Sequence, residues 1–305
     1  YPIEVSKGCR YNCAFCSYAN LSNQKMKDIG LVVGELERNR ERYGIRALRF
    51  MDSNLTSWPE HVERLCEAII ERGLDLQWSC YARVDNMAKN PRMLEKMRKA
   101  GCMALNSGIE SGDDGVLRAM HKGYDGKTVV AGVRRAKEAG LIVTGNFIIG
   151  FPGETRETVD RTLDVIGRAE PDCVSFSPFV VPQNSTAEVW RERQRWGIEG
   201  AGTRWAHRTM DSEEAKAELE RAMGAVLEMP GTVIANWFVL MWLVGCGLGK
   251  GEALAYFAAI RDYHRGKRAG NAELQGESAA HIRGVWERIR RHHSRFYGGR
   301  SGVPA

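Results

Sequence analysis

Three cysteines, Cys9, Cys13 and Cys16, stand in the run Gly-Cys-Arg-Tyr-Asn-Cys-Ala-Phe-Cys at residues 8–16. Thiolates at this C-x3-C-x2-C spacing can hold three corners of a four-iron cubane, which leaves one iron without a protein ligand and open to chemistry. Taken alone, the triplet also suits zinc, because C-x2-C is a common zinc spacing that a histidine can complete. The first histidine, however, is His61, and there is no second C-x2-C pair. An electron-transfer ferredoxin site asks for four cysteines per cluster, and no fourth is near the motif. The other five cysteines, at 66, 80, 102, 173 and 246, are isolated among apolar residues, where a thiol acts as a small hydrophobe. With no secretion signal in view, this usage argues against a disulfide framework and for a reducing cytoplasm.

The elements that must position the triplet follow an alternating pattern. The chain has 305 residues, 43% hydrophobic and 27% charged, enough for a sizeable core. From Tyr1 to about Pro182, β-rich runs alternate with helical stretches, the pattern of repeated βα units on a parallel sheet. Strands are expected at Pro2–Val5, Ala47–Met51, Leu76–Tyr81, Met103–Ile109, Ile142–Ile149 and Cys173–Ser177. Helices are expected at Gly30–Tyr43, Pro59–Arg72, Pro91–Ala100, Lys127–Ala139 and Arg156–Ala169. Several of these end on a glycine, as at Gly44, Gly73, Gly101 and Gly140. Six strands are too few for a full eight-fold barrel, so an open, partial barrel is expected, with functional residues at the C-terminal ends of its strands.

Residues 183–305 read as a mostly helical cap on the substrate side. Val189–Arg204 is dense in arginine and tryptophan, and Asp211–Leu227 reads as a helix with acidic residues at its start. The apolar run Val233–Leu248 is broken by Pro230, Gly231 and Asn236 before or within it and by Gly245, Gly247 and Gly249 near its end. It therefore reads as a buried helix rather than a membrane span. Two charged helical stretches follow, with a frayed tail from Gly298. The formal net charge of +6 comes mainly from C-terminal arginines, between Arg283 and Arg300 for example, which read as a solvated helical face. No nucleic-acid partner is expected.

The cysteine run, following a first strand and opening a βα loop, resembles the radical S-adenosylmethionine (SAM) superfamily, and the pattern over residues 1–182 resembles its partial (βα)6 barrel. The resemblance implies a 4Fe-4S cluster on Cys9, Cys13 and Cys16 whose free iron chelates SAM. It also implies reductive cleavage of SAM to a 5'-deoxyadenosyl radical that takes hydrogen from an organic substrate. On the same footing, Phe15 falls where the family places an aromatic against adenine, with simple packing as the alternative. Asp52 falls where the methionine ammonium binds, although the usual glycine-rich motif is missing and a helix N-cap is equally open to Asp52 and Ser53. Ser107 and Glu110 match ribose contacts. Lys122, with Arg83 as a second candidate, matches the partner of the methionine carboxylate, unless either is a surface ion pair. Asn146, in Gly-Asn-Phe-Ile-Ile-Gly-Phe-Pro-Gly-Glu-Thr, lies on the adenine-side strand, where Gly150 and Gly153 allow close backbone approach.

The phrases Phe-Met-Asp-Ser-Asn-Leu-Thr, Tyr-Ala-Arg-Val-Asp and Ile-Ile-Gly-Phe-Pro-Gly-Glu-Thr resemble the cobalamin-dependent, class B methylase-like branch of that superfamily. The branch implies methyl transfer through cobalamin, a small-molecule or peptide substrate, and an electron donor such as flavodoxin or ferredoxin. Two departures stand against it. The cobalamin motif Asp-x-His-x-x-Gly is missing, since Asp262-Tyr-His-Arg-Gly has its glycine one place early, and Val-Pro-Gln-Asn-Ser-Thr at 181–186 replaces a Pro-Gly-Thr turn. Either a cobalamin domain lies upstream of Tyr1, or the chain works without one as a radical tailoring enzyme. A metal-stabilised binding module is the third reading.

Overall fold

All six expected runs form strands, Pro2–Ile3, Ala47–Phe50, Gln77–Tyr81, Cys102–Glu110, Ile142–Ile149 and Cys173–Pro178, and they lie side by side in chain order with every neighbouring pair parallel. The computed structural model describes residues 1–18 and 23–297, with side chains as far as Arg291. The tail expected from Gly298 lies outside the described residues. A seventh strand, Val233–Ile234, extends the sheet in parallel beside Cys173–Val174. Among the described residues no ladder joins the first strand to the seventh, so the sheet is an open partial barrel.

Local sequence explains the helices between the strands. Ile29–Tyr43 starts where the Asp28 carboxylate accepts the Leu31 N–H at 3.1 Å. Pro59–Glu71 and Pro91–Lys99 begin on prolines that have no N–H to leave unpaired. Gly126–Glu138 and Arg156–Ala169 complete the expected set. Two short helices, Val84–Lys89 and Asp114–Ala119, were not foreseen, because each is too short to show a 3.6-residue period. Gly101 illustrates one constraint on these crossovers. It has φ of 92°, and a β-carbon there would lie 1.9 Å from the Leu76 carbonyl oxygen, so only glycine brings the fourth strand in beside the third.

Alternation divides the sheet into two faces. Phe50, Trp78, Leu105, Val143 and Val174 share one core beneath the helices, with Phe50 edge-on to Trp78 at 5.0 Å. On the opposite, inner face, Ala104, Ile142 and Cys173 meet Trp237, Leu240 and Val244. The apolar run thus supplies the seventh strand and then the helix Trp237–Gly245, which packs across the inner face. No helix among the described residues is long and apolar enough to cross a membrane.

Beyond the sixth strand, the segment dense in arginine and tryptophan is not helical throughout. After the short helix Glu188–Arg191 it folds into a three-stranded antiparallel sheet of Glu199–Ala201, Arg204–His207 and Met210–Asp211. Helix Ser212–Leu227 follows with a full capping box between Asp211 and Glu214. Lys250–Ala269 and Ala272–Tyr297 form the two charged helices.

Candidate functional site

The cysteine triplet sits on a loop that opens and closes through a short antiparallel ladder, Ser6–Lys7 against Lys25–Met26. Ala14, fully buried at the loop's centre, anchors it twice: its N–H donates to the Met120 carbonyl at 3.2 Å and its carbonyl accepts the Val189 N–H at 3.0 Å. Thr186 Oγ1 adds a hydrogen bond to the Ser17 carbonyl at 2.5 Å. The segment after the barrel therefore grips the cysteine loop directly. Ala14→Leu should overpack this point, a change that typically costs about 1–3 kcal/mol. A lower melting temperature together with a lower iron-to-protein ratio is expected. An unchanged ratio would show that the anchor does not shape the loop.

A cavity of about 440 Å³ opens beside the loop. Cys9, Cys13, Cys16 and Phe15 form one wall. The C-terminal ends of the strands supply the rest: Met51, Ser53 and Asn54 after the second, Tyr81 and Arg83 after the third, Asn106, Gly108 and Glu110 from the fourth and Asn146 from the fifth. Lys122 closes the side between them. Functional residues at the C-terminal end of a parallel barrel are what the architecture calls for.

Eight of the ten expected site residues meet here, and two do not. Asp52, expected to meet an ammonium group, is fully buried in the wall instead; its carboxylate accepts Val5 N–H at 3.1 Å and Ser6 Oγ at 2.5 Å, bracing the first strand. It caps no helix either. Ser107, expected to meet a ribose, points to the other face of its strand with a buried, unpartnered hydroxyl. The cause is alternation: when Gly108 and Glu110 face the cavity, Asn106 faces it too and Ser107 cannot. Asn106 was thus missed on a strand of known phase. It accepts a hydrogen bond from Asn146 Nδ2 at 2.6 Å, which joins the fourth and fifth strands inside the cavity.

Glu110 turns toward the cavity through a left-handed backbone, φ 72°, where the ladder to the fifth strand shifts register. Its Oε1 lies 3.4 Å from Lys122 Nζ, which also donates to the Gly108 carbonyl at 2.8 Å. Burial works against the charge on Lys122, but nearby Tyr124, Glu110 and Cys13 outweigh it and hold the ammonium above the ordinary lysine value. Tyr124, another residue the sequence did not single out, donates to the Gly108 carbonyl at 3.0 Å, and burial pushes its hydroxyl up to about 12. Arg83 is committed in part. Its Nε pairs with Asp85 at 3.0 Å, Nη2 donates to the Lys122 carbonyl, and its guanidinium carbon stands 3.7 Å from the centre of the Tyr11 ring. Arg83 and Lys122 are therefore buried and partnered within the cavity wall, not surface ion pairs.

The donor set fits an iron-sulfur cluster. Burial comes first in pushing the Cys9 thiol up, against an opposing hydrogen bond from the Tyr11 backbone, and the adjacent thiols add to the effect. Thiols become thiolates when a cationic metal group displaces their protons. Among the described residues no three histidine, cysteine or acidic side chains converge on a point that a single ion would occupy. The three thiols share one wall of the cavity of about 440 Å³.

The sequence model of the radical SAM superfamily matches residues 3–166, which hold the cysteine loop and the first five strands. The chain belongs to that superfamily. It is 31% identical over 177 residues to an uncharacterized methyltransferase of Pyrococcus horikoshii, covering 57% of this chain and 38% of the relative. It is 32% identical over 203 residues to the hopanoid C-2 methylase of Rhodopseudomonas palustris, covering 64% and 38%. The chain thus spans well under half the length of these curated relatives. Among solved structures, the radical SAM methyltransferase TsrM of Kitasatospora setae, determined with cobalamin and a [4Fe-4S] cluster bound, superposes with a TM-score of 0.60 at 18% identity. That match covers 96% of this chain and 60% of TsrM. The likeness in fold to TsrM therefore covers nearly the whole chain, beyond residue 166 as well. Superfamily membership makes the chain part of a radical SAM enzyme and implies a 4Fe-4S cluster and SAM as its cofactors.

Proposed function

We propose that this chain is the radical half of a methylase. In this reading Cys9, Cys13 and Cys16 hold the cluster, SAM binds beside it, and a cobalamin-binding domain outside these 305 residues carries the methyl group. The observation that carries the proposal is the convergence of three thiols, Phe15 and the Glu110–Lys122 pair on one cavity at the C-terminal ends of the strands. A cluster held there would supply the electron for reductive cleavage of SAM and so for hydrogen-atom abstraction from a small-molecule substrate. The chain's own residues bind and orient. Glu110 offers a carboxylate oxygen to ribose hydroxyls, Lys122 and Arg83 place positive charge where a carboxylate would lie, and Phe15 presents a ring face. The Asn106–Asn146 pair supplies hydrogen-bonding edges for the purine side. Residues 183–305, in their role as cap, keep water from the reacting centre. The electron comes from a flavodoxin or ferredoxin.

The test is anaerobic reconstitution with iron and sulfide, followed by reduction in the presence of SAM. Methionine and 5'-deoxyadenosine should appear in equal amounts. Reduced, iron-loaded protein that leaves SAM intact would overturn the proposal. Methyl-labelled SAM, supplied with cobalamin and a cobalamin-binding domain, then separates methyl transfer from a radical rearrangement.

Gly108 offers a narrower check on Glu110. A β-carbon at Gly108 would lie 2.2 Å from Glu110 Oε1, so Gly108→Ala must swing the carboxylate away. Loss of one charge-assisted hydrogen bond is worth roughly a tenfold change in binding. We expect the KM for SAM to rise by about that factor with the fold retained, and an unchanged KM would remove Glu110 from the SAM contacts.

A further inference from the structure

We infer that Arg49 is an anion anchor on the inner face of the sheet, placed to hold an oxyanion group, carboxylate, phosphate or phosphonate, of the substrate. The inference rests on the proposed radical reaction and adds the substrate's chemical class.

Arg49 lies on the second strand, two residues before Met51 and so on the same face. Met51 borders the cavity that holds the three thiols, and the half-buried Arg49 lies next to that cavity's lining on the same face, toward the N-terminal end of the strand. Its guanidinium carbon stands 4.8 Å from the centre of the Tyr81 ring and 4.4 Å from that of Phe238. Tyr81 also lines the cavity, and Phe238 belongs to the helix that packs across the inner face. The guanidinium thus lies against two aromatic rings, and among the described residues no hydrogen bond from it is seen. Among the described residues no carboxylate pairs with Arg49, and its Nε is buried without a hydrogen-bond partner.

The neighbouring strand carries a second, independent sign. Ser79 is the cross-strand partner of Arg49 in the parallel ladder, so the two side chains share a face. The Ser79 hydroxyl is also buried and unpartnered. Buried polar groups are normally satisfied, and leaving one unmade costs about 1–3 kcal/mol. Two such groups side by side, one cationic and held against aromatic rings, form a donor pair that an oxyanion satisfies: the guanidinium edge binds two oxygens and the serine hydroxyl donates to one. The other cations of the region, Arg83 and Lys122, already hold partners within the wall. A substrate with an anionic end gripped at Arg49 would lie along the inner face of the sheet toward the cavity where the radical forms.

The test uses the cluster-loaded chain with saturating SAM, titrated calorimetrically with inorganic phosphate, methylphosphonate and acetate, with methylammonium as a cationic control. At least one anion should bind with one-to-one stoichiometry, and methylammonium should not. Arg49→Gln should weaken that anion at least roughly tenfold, the scale of one charge-assisted contact, while Lys122→Gln should not. If Arg49→Gln does not fold, judged by its thermal melt, Arg49→Lys takes its place and should bind severalfold more weakly, because an ammonium lacks the planar fork. Absence of anion binding to the wild type, or binding that depends on Lys122 and not on Arg49, would overturn the anchor. The same wild-type preparation is assayed for 5'-deoxyadenosine. Its absence with Arg49-dependent anion binding intact defeats the radical reading alone, whereas its presence with anion binding indifferent to Arg49 defeats the anchor alone.

Discussion

Replacing Cys9, Cys13 and Cys16 together with alanine is expected to abolish 5'-deoxyadenosine formation and to reduce bound iron from about four atoms per chain to background. The variant should still fold. All three cysteines are half-exposed on a loop, and none belongs to the buried clusters that hold the barrel together. Truncation at such sites changes stability by about 0.5 kcal/mol, so a loss of activity cannot be assigned to unfolding. Iron analysis, the visible absorbance of the reconstituted protein and a thermal melt of the apoprotein make the separation. Retained SAM cleavage in the variant would sink the radical assignment. Retained iron with lost cleavage would place the cluster on other ligands.

Much of this fold was legible because a parallel barrel repeats one signal. Each expected strand formed, and capping residues such as Asp28, Pro59 and Pro91 set helix starts within a residue or two. What escaped was short or depended on phase. Val233–Ile234 has two residues, too few for any period, and joins the sheet only because the helix after it packs against the inner face. The hairpin at 199–211 was hidden by its arginines and tryptophans. Trp205 nonetheless packs on Phe179 at 5.3 Å and donates from its indole to the Phe179 carbonyl. At the site, the cysteines and Glu110 announce themselves by type. Ser107 against Asn106 turns on which residues of one strand face inward, and Asp52 turns on a partner, Ser6, that lies 46 residues away. Tyr11 and Tyr124 act through ring faces and a single hydroxyl, for which the linear sequence carries no mark.

Glu154 yields the second large effect, through pH. It is fully buried after the turn that ends the fifth strand; Oε2 accepts the Gly150 N–H at 2.5 Å, and Oε1 has no partner. Burial, only partly offset by backbone hydrogen bonds from Gly150 and Phe151, pushes this carboxyl up to about 8. The folded protein therefore holds a proton on this carboxyl at neutral pH. In the unfolded chain the group has its ordinary value near 4.5. Below that value both states are protonated and the contribution is fully present. As pH rises from 4.5 toward 8 only the unfolded state releases its proton, and stability falls. The loss reaches about 5 kcal/mol at most by pH 8, at 1.36 kcal/mol per unit.

Glu154→Gln imitates the neutral acid and cannot ionise. Urea unfolding at pH 5, 6, 7 and 8 should show a shallower decline for the variant than for the wild type, and the difference between the two slopes isolates Glu154 from every other carboxylate. Equal slopes would mean that Glu154 is ionised in the folded state. The consequence bears on the site, because this turn sets the end of the strand that carries Asn146. Gly150 has φ of 98°, and a β-carbon there would lie 2.7 Å from both Trp205 and Ala215, so the region after the barrel is packed onto it. Burial holds His207 below the ordinary histidine value, and its neutral ring meets the Gly150 carbonyl at 3.0 Å through Nε2. Ionising Glu154 would introduce a charge into a turn through which the small antiparallel sheet contacts the fifth strand. SAM cleavage should accordingly fall above pH 8 in the wild type and persist in Glu154→Gln.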